Sequence, residues 1–400
     1  MKVNFIKLYI LFLILILLIC LLAGCPSQVG SSGGGGVDNS PKNIKLVVDS
    51  NIHFGQSTSI AIDGLNVYIS YCDMLNGNLK FAKSSDGGVT WPASNIKGVD
   101  PNLNVGLYNS IAVEGSNIYI SYYDEANKDL KFAKSTDGGN TWPVLNMRII
   151  DSIGDVGEYT SLAINGSEIY ISYYDSTNKD LKFARSTDYG NTWLFTNLKT
   201  VDFTGDVGTY TSIAVDGLNI YISYYDITNG DLKLAKSTDG GALFPVLNIR
   251  TIDTGGGGGN VGEYSSIAVD GSNIYISYSS TNHLKFAKST DGGYTWPASN
   301  IQIADVSVSA VMGTSIAVNG SNLYISYYDW ASENLKFVKS TSGGYSWLTD
   351  HKRNIDSIEN MCDTNSIAAD GTNVYVSYFD RNDDSLKFAK SIDKGDTWAP

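Results

Sequence analysis

Histidine, arginine and cysteine are scarce in this chain, and each scarcity removes a class of chemistry. The three histidines, His53, His283 and His351, sit in non-equivalent places, so no histidine-centred acid–base set is read. The four cysteines, Cys20, Cys25, Cys72 and Cys362, are too few for a disulfide scaffold. Cys72 and Cys362 have no histidine near them in sequence. Basic residues number 28 against 41 acids, for a net charge of −13. Losing the first 24 residues, which carry Lys2 and Lys7 and no acid, takes this to −15. Such a surface repels phosphate backbones, so nucleic acid is excluded as a partner, while cations, neutral glycans and basic proteins stay compatible. Helix-favouring stretches are scarce beyond the N-terminus. No cofactor or metal site is read.

What is present points to strands and turns. Tyrosine (26) and glycine (41) are abundant, and 42% of residues are hydrophobic, which places the chain among globular proteins.

Residues 1–24 read as a signal peptide: Lys2 and Lys7, then an apolar run from Leu8 to Leu22. The run is short for a membrane span of about 20 residues. Leu22-Ala23-Gly24-Cys25 resembles the lipobox of bacterial lipoproteins. That resemblance implies cleavage before Cys25 and lipidation of its thiol; an uncleaved membrane anchor is the alternative. Either way the body lies outside the cytoplasm, held at the cell membrane or outer membrane. Residues 25–43 form a Gly/Ser-rich linker that includes Ser31 to Gly36. A monomer tethered through its lipid is expected.

From residue 44 to residue 400 one phrase of about 51 residues recurs seven times. Its second copy runs from Ser110 to Asp151, and the others begin at Ser59, Ser161, Ser212, Ser266, Ser315 and Ser366. Each copy supplies four strands: SIAV, then NIYISYY, then LKFAKS, then a segment after Trp such as VLNMRII. Asp-Gly or Asn-Gly between the first two strands, with Glu114-Gly115 the exception, predicts type I′ hairpin turns. Four antiparallel strands per repeat predict an all-β, seven-bladed β-propeller. The last copy stops at Trp398-Ala399-Pro400, where its fourth strand would begin. Asn43 to Asp49 resembles a fourth strand, so the N-terminal strand is expected to complete blade 7 and leave no open sheet edge there.

Between the third and fourth strands lies Ser-x-Asp-x-Gly-x-Thr-Trp, with Asp86, Asp137, Asp188, Asp239, Asp291 and Asp393 at its centre and Ser342 in the sixth copy. This resembles the Asp-box, or bacterial neuraminidase repeat, of sialidase-like propellers. The aspartates read as turn staples accepting backbone N–H groups.

The sialidase resemblance further implies an arginine triad, a Tyr nucleophile with a Glu partner and an Asp acid/base. Against this, the chain has five arginines: Arg148, Arg250 and Arg353 in fourth strands, Arg185 in a third strand and Arg381 in a turn. No convergent triad can be built from these, and sialidases have six blades. Glu158-Tyr159 and Glu263-Tyr264, between blades, are the nearest mimics of a Tyr/Glu pair. The expected function is therefore a non-catalytic binding or scaffold module for glycans or proteins. A sialidase-like exo-glycosidase with a non-standard site is the alternative. No catalytic residue is assigned.

Two repeated features share the face where interblade loops and second-to-third-strand turns gather. One is Tyr123-Asp124, Tyr174-Asp175, Tyr225-Asp226 and Tyr328-Asp329 at the end of the second strand, with Cys72-Asp73 and Ser279-Ser280 departing from it. The other is Tyr108, Tyr159, Tyr210 and Tyr264 between blades. Both sets are candidate ligand contacts, since aromatic faces beside carboxylates suit sugars or cations. A Cys72–Cys362 disulfide between the first and last blades is also open.

Overall fold

The second strand of each repeat, such as Asn117–Asp124, is buried along almost its whole length, so both of its faces must be covered. Its alternation decides what covers each face. Ile118, Ile120 and Tyr122 pack with Tyr68, Leu79 and Phe81 of the preceding repeat. Tyr119 packs with Leu162, Ile169 and Ile171 of the following one. Side chains two apart share a face, and here the two faces serve two different neighbours.

In the computed structural model, residues 42–400 are described, except 51, 53–56, 256–258, 282, 307, 309–310 and 358–360 and the side chains of 361–363. The signal peptide, Cys25, most of the linker and His53 lie outside the described residues. Seven four-stranded antiparallel sheets follow one another, each in the order first, second, third, fourth strand. In blade 2 these are Val105–Glu114, Asn117–Asp124, Asp129–Ser135 and Met147–Asp151. The molecule is a seven-bladed β-propeller with its core divided among seven interblade seams.

The N-terminal strand Ile44–Ser50 pairs antiparallel with Ser385–Ser391 and is the outer strand of blade 7. The ring therefore closes as the sequence predicts. Among the described residues no helix is long and apolar enough to cross a membrane.

The hairpins differ from expectation in type. Asp63 pairs with Asn66 and Glu114 with Asn117, so the central turn residues are Gly64-Leu65 and Gly115-Ser116. Both glycines have φ +58, while the residues after them are not in the left-handed region. Glycine at the first central position is the type II′ arrangement. The Asx residue stands one place before the turn centre, which is why Glu114 is tolerated there.

Innermost strands are joined by serine. The amide of Ile111 donates to Ser59 Oγ (3.2 Å), and that of Ile60 to Ser366 Oγ across the closing seam (3.2 Å).

Each seam also carries a polar cluster on its outer side. Tyr122 Oη donates to Asp100 Oδ2 (2.6 Å) and Lys131 Nζ reaches the same oxygen (2.5 Å). Tyr122 and Lys131 belong to blade 2, and Asp100 follows the fourth strand of blade 1, Ile96–Gly98. The phenol–carboxylate bond recurs at every seam, including Tyr71 to Asp49 (2.6 Å), which locks the N-terminal strand to blade 1.

The Asp-box is a turn and a latch together. Asp137 Oδ1 accepts from Ser135 Oγ (2.7 Å) and the Thr141 amide (2.9 Å), and Oδ2 from Thr141 Oγ1 (2.6 Å). In the sixth copy Ser342 Oγ takes the carboxylate's place and accepts from the Ser346 amide (2.9 Å). The box Trp142 then meets Phe81 of the preceding blade edge-on, with ring centroids 5.2 Å apart. Gly139 has φ +85, and a Cβ there would lie 2.3 Å from Phe81. Gly139→Ala is expected to cost about 2–4 kcal/mol through the clash and the left-handed backbone, read as a lower denaturation midpoint. Phe81→Leu in the same chain should recover part of this. Blade 4 already carries Leu234 at the equivalent place, opposite Gly293.

Slight burial works to raise the box carboxyls, but bonds from Thr and Ser side chains and backbone amides outweigh it. The result is a lowered value at all six aspartates, to about 2 for Asp137 and Asp291. Asp100 and Asp202 are lowered in the same way, with Lys and Tyr donors overcoming burial. A carboxyl depressed on folding stabilises above its unfolded value of about 3.9, and loses that contribution as pH falls through the folded value. Asp129, Asp180, Glu158 and Glu263 are raised, first by burial, and act in the opposite sense. The thermal midpoint should therefore hold down to about pH 4 and fall steeply toward about pH 2. A midpoint already collapsing between about pH 6 and 5 in circular-dichroism melts would contradict this.

Candidate functional site

Seven inner strands ring the central channel, and their entry ends are irregular. In blade 2 the pairing register shifts between Val105 and Leu107 and again between Leu107 and Ser110. Such bulges re-aim side chains. The residue they re-aim is Tyr108, whose φ is +52. Tyr159, Tyr210 and Tyr264 repeat the conformation at +53, +52 and +54. A bulky side chain in the left-handed region is an outlier costing about 1–3 kcal/mol, and such strain gathers at functional sites.

The four rings form one arc over blades 2 to 5. Successive centroids are 4.5, 4.7 and 4.4 Å apart. Blades 6, 7 and 1 place Gly313, Thr364 and Ser57 at the equivalent positions, and the mouth so formed encloses about 170 Å³. An aromatic wall thus faces a wall of small residues, and sevenfold equivalence is broken where a ligand would enter.

Three phenols of the arc, those of Tyr108, Tyr159 and Tyr210, are held above the ordinary tyrosine value. Burial, then neighbouring phenols and Glu158, push Tyr108 up. Burial pushes Tyr159 up, against hydrogen bonding with Tyr108. Burial, then Tyr264 and Tyr159, push Tyr210 up. A tyrosine nucleophile needs its oxygen activated; these shifts run the other way.

The second candidate set is placed differently from the expectation. Tyr123, Tyr174, Tyr225 and Tyr328 are buried, and so are Asp124, Asp175, Asp226 and Asp329. Tyr123 Oη donates to Asp155 Oδ1 (2.6 Å), and Tyr174 Oη to Asp206 Oδ1 (2.7 Å). Asp124 receives the Asn127 amide and side-chain Nδ2, both at 3.0 Å, and so fastens its own turn. These residues form no open ligand face. Tyr123, Tyr174 and Tyr225 stand behind the arc, each in ring contact with Tyr108, Tyr159 and Tyr210 respectively.

The arginines do not converge. Arg148 and Arg353 donate to backbone carbonyls at the outer rim, Arg148 Nε to Asn191 (3.0 Å) and Arg353 Nε to Asp396 (2.6 Å). Arg185 pairs with Glu168. Cys72 is a buried free thiol whose sulfur lies 3.7 Å from the Val105 carbonyl of blade 2. Burial pushes it to about 12, so it is a poor nucleophile. The side chain of Cys362 lies outside the described residues. Among the described residues no group of three or more His, Cys, Asp or Glu could hold a metal ion.

No protein-family model matches the chain, and no curated protein matches it in sequence. Solved structures do match in shape. The Hadza microbial sialidase Hz136 superposes with a TM-score of 0.51 at 13% identity, over 82% of this chain and 73% of that one. A variant of the NanB sialidase from Streptococcus pneumoniae gives 0.50 at 12% identity, over 88% and 70%. The polysaccharide lyase Uly1 gives 0.50 at 10% identity, over 84% and 89%. At these identities the likeness is one of fold alone, that of a β-propeller.

Proposed function

We propose that the chain is an exported, lipid-anchored binding propeller, without catalysis, whose channel mouth takes a neutral glycan on the tyrosine arc. The observation that carries the reading is the arc itself: four tyrosines held at φ +52 to +54, against the preference of the backbone. Aromatic faces fit the C–H surfaces of sugars, and their phenols serve the hydroxyls. Dispersed arginines and an acidic surface argue against an acidic sugar. The sequence Leu22 to Cys25 supports the anchor and the location outside the cytoplasm.

The test is a glycan array probed with the full chain in a sugar-free detergent, reading both binding and loss of terminal sugars. Binding without turnover is expected. Tyr159→Ala with Tyr210→Ala should weaken it about tenfold or more, and unchanged binding by that folded variant would overturn the reading. One observation favours catalysis instead: Glu158 and Glu263, half-buried beside Tyr159 and Tyr264, are raised by burial as a general acid's carboxyl would be. Loss of terminal sugars on the array would transfer the assignment to them.

A further inference from the structure

The seam between blades 5 and 6 departs from its neighbours in three ways. The tyrosine near the end of the second strand in blades 2, 3, 4 and 6 is Ser279 here, and the aspartate after it is Ser280. The following turn is shorter: Ser280 pairs with His283, whereas Asp124 pairs with Asp129 in blade 2. The space so vacated is a cavity of about 310 Å³ lined by Asn260, Glu263, Tyr264, Ser279, Thr281 and Met312, among others. That is the size of a small-ligand site.

Glu263 gives the cavity its character. Its Oε1 accepts from Asn260 Nδ2 (3.0 Å), and no cation among the described residues lies within ion-pair distance of it. The equivalent Glu158 has Lys128 nearby, which offsets its burial; in blade 4 the residue corresponding to that lysine is Gly230. A half-buried carboxylate without a cation is costly unless something positive arrives. The Tyr264 ring stands beside it; Ser279 Oγ donates to the Val311 carbonyl (2.9 Å) and Thr281 Oγ1 to the Asn260 carbonyl (3.4 Å), so both oxygens face a ligand as acceptors.

We propose that this pocket binds an amino sugar, with Glu263 receiving its ammonium group, Tyr264 flanking the ring and Ser279 and Thr281 meeting its hydroxyls. The pocket meets the channel mouth at Tyr264 and goes beyond the reading of the arc by adding a cationic sugar beside the arc's neutral glycan, and its own chemistry does not depend on the arc.

Calorimetric titration of the full chain, in the same sugar-free detergent, with glucosamine, N-acetylglucosamine and glucose tests it. Glucosamine should bind about tenfold or more tighter than the other two, the worth of a charge-assisted hydrogen bond. Glu263→Gln should remove that preference. Ser279→Tyr, which restores the residue other blades carry, should abolish glucosamine binding while the thermal midpoint holds or rises, so loss of fold cannot be mistaken for loss of site. Equal affinity for the three sugars, or a Glu263→Gln variant that still prefers glucosamine, overturns the proposal. Neutral glycans binding on the array without any glucosamine preference would sink this inference alone. Glucosamine preference with a silent array would sink the arc reading alone.

Discussion

Removal of residues 43–50 is expected to abolish the cooperative unfolding of the propeller. Blade 7 then keeps three strands, and Lys387 to Lys390 lose the partners Ile44, Lys45, Leu46 and Val47. The closing seam loses the Tyr71–Asp49 bond and the Lys80–Asp49 ion pair (3.0 Å), and Asp356 loses Lys45 (2.9 Å). Val48 and Ile52 also sit in the core cluster between blades 7 and 1, and Val48 goes with the deletion. Domains are stable by only about 5–15 kcal/mol, and the loss here is expected to be about 5 kcal/mol or more, given a ladder, two ion pairs and buried apolar surface. The exposed edge of Ser385–Ser391 would then template association between molecules. Size-exclusion chromatography and thermal melts of the truncated chain check this. A monomer with an unchanged midpoint would mean that closure contributes little.

Asp202→Ala should be nearly as damaging from a single residue. The carboxylate is 3% exposed and accepts from Tyr224 Oη (2.7 Å) and Lys233 Nζ (2.5 Å). Removing it strands a completely buried phenol and leaves the mostly buried ammonium only the more distant Asp226 carboxylate (3.6 Å). Breaking a buried pair typically costs about 3–5 kcal/mol, whereas replacing all its members with apolar groups is often neutral. The variant Asp202→Leu with Tyr224→Phe and Lys233→Met should therefore recover most of what Asp202→Ala loses. Chemical denaturation of the two variants separates these outcomes. If the triple variant is no more stable than the single one, the cluster contributes attraction beyond mutual satisfaction.

Blade count, strand order and closure were all legible in the sequence, because near-copies carry their phase with them. The Asp-box was legible too, since its bonds span four residues. Bonds between blades were not. The Tyr–Asp partnership spans 22 residues at six seams, as in Tyr122 and Asp100, and 25 at Tyr278 and Asp253. The signal was present in every copy, but a repeat shows which residues recur and not which neighbours they meet. The same limit governs Tyr123-Asp124. On a strand end it reads as an exposed polar-aromatic step; in the fold Asp155, 32 residues later, arrives from the next blade and covers it. The arc was half legible: Tyr108, Tyr159, Tyr210 and Tyr264 were visible as a set, while their left-handed backbone and their mutual contact were not. At the fifth blade Ser279-Ser280 was visible as a departure, and only the packing turned it into a cavity.

At the closing strand Asn43 Nδ2 donates to Thr397 Oγ1 at 2.6 Å, so the start of the ring lies against its last Asp-box. The bonds at the closing seam are those found around the ring: an aliphatic amide donating to serine and phenol to carboxylate as at the other six, and lysine to box carbonyl, as in Lys390 to Gly87 (2.9 Å), as at every other seam but the one where Arg185 replaces the lysine. Structurally the ring has no first blade. A circular permutant joined from Pro400 to Asn43 and cut after another blade's box tryptophan keeps Trp398 on Phe337 and the strand pairing of all seven blades, and only moves the chain ends to another point of the rim. Where the chain enters the rim is set by connectivity and not by packing.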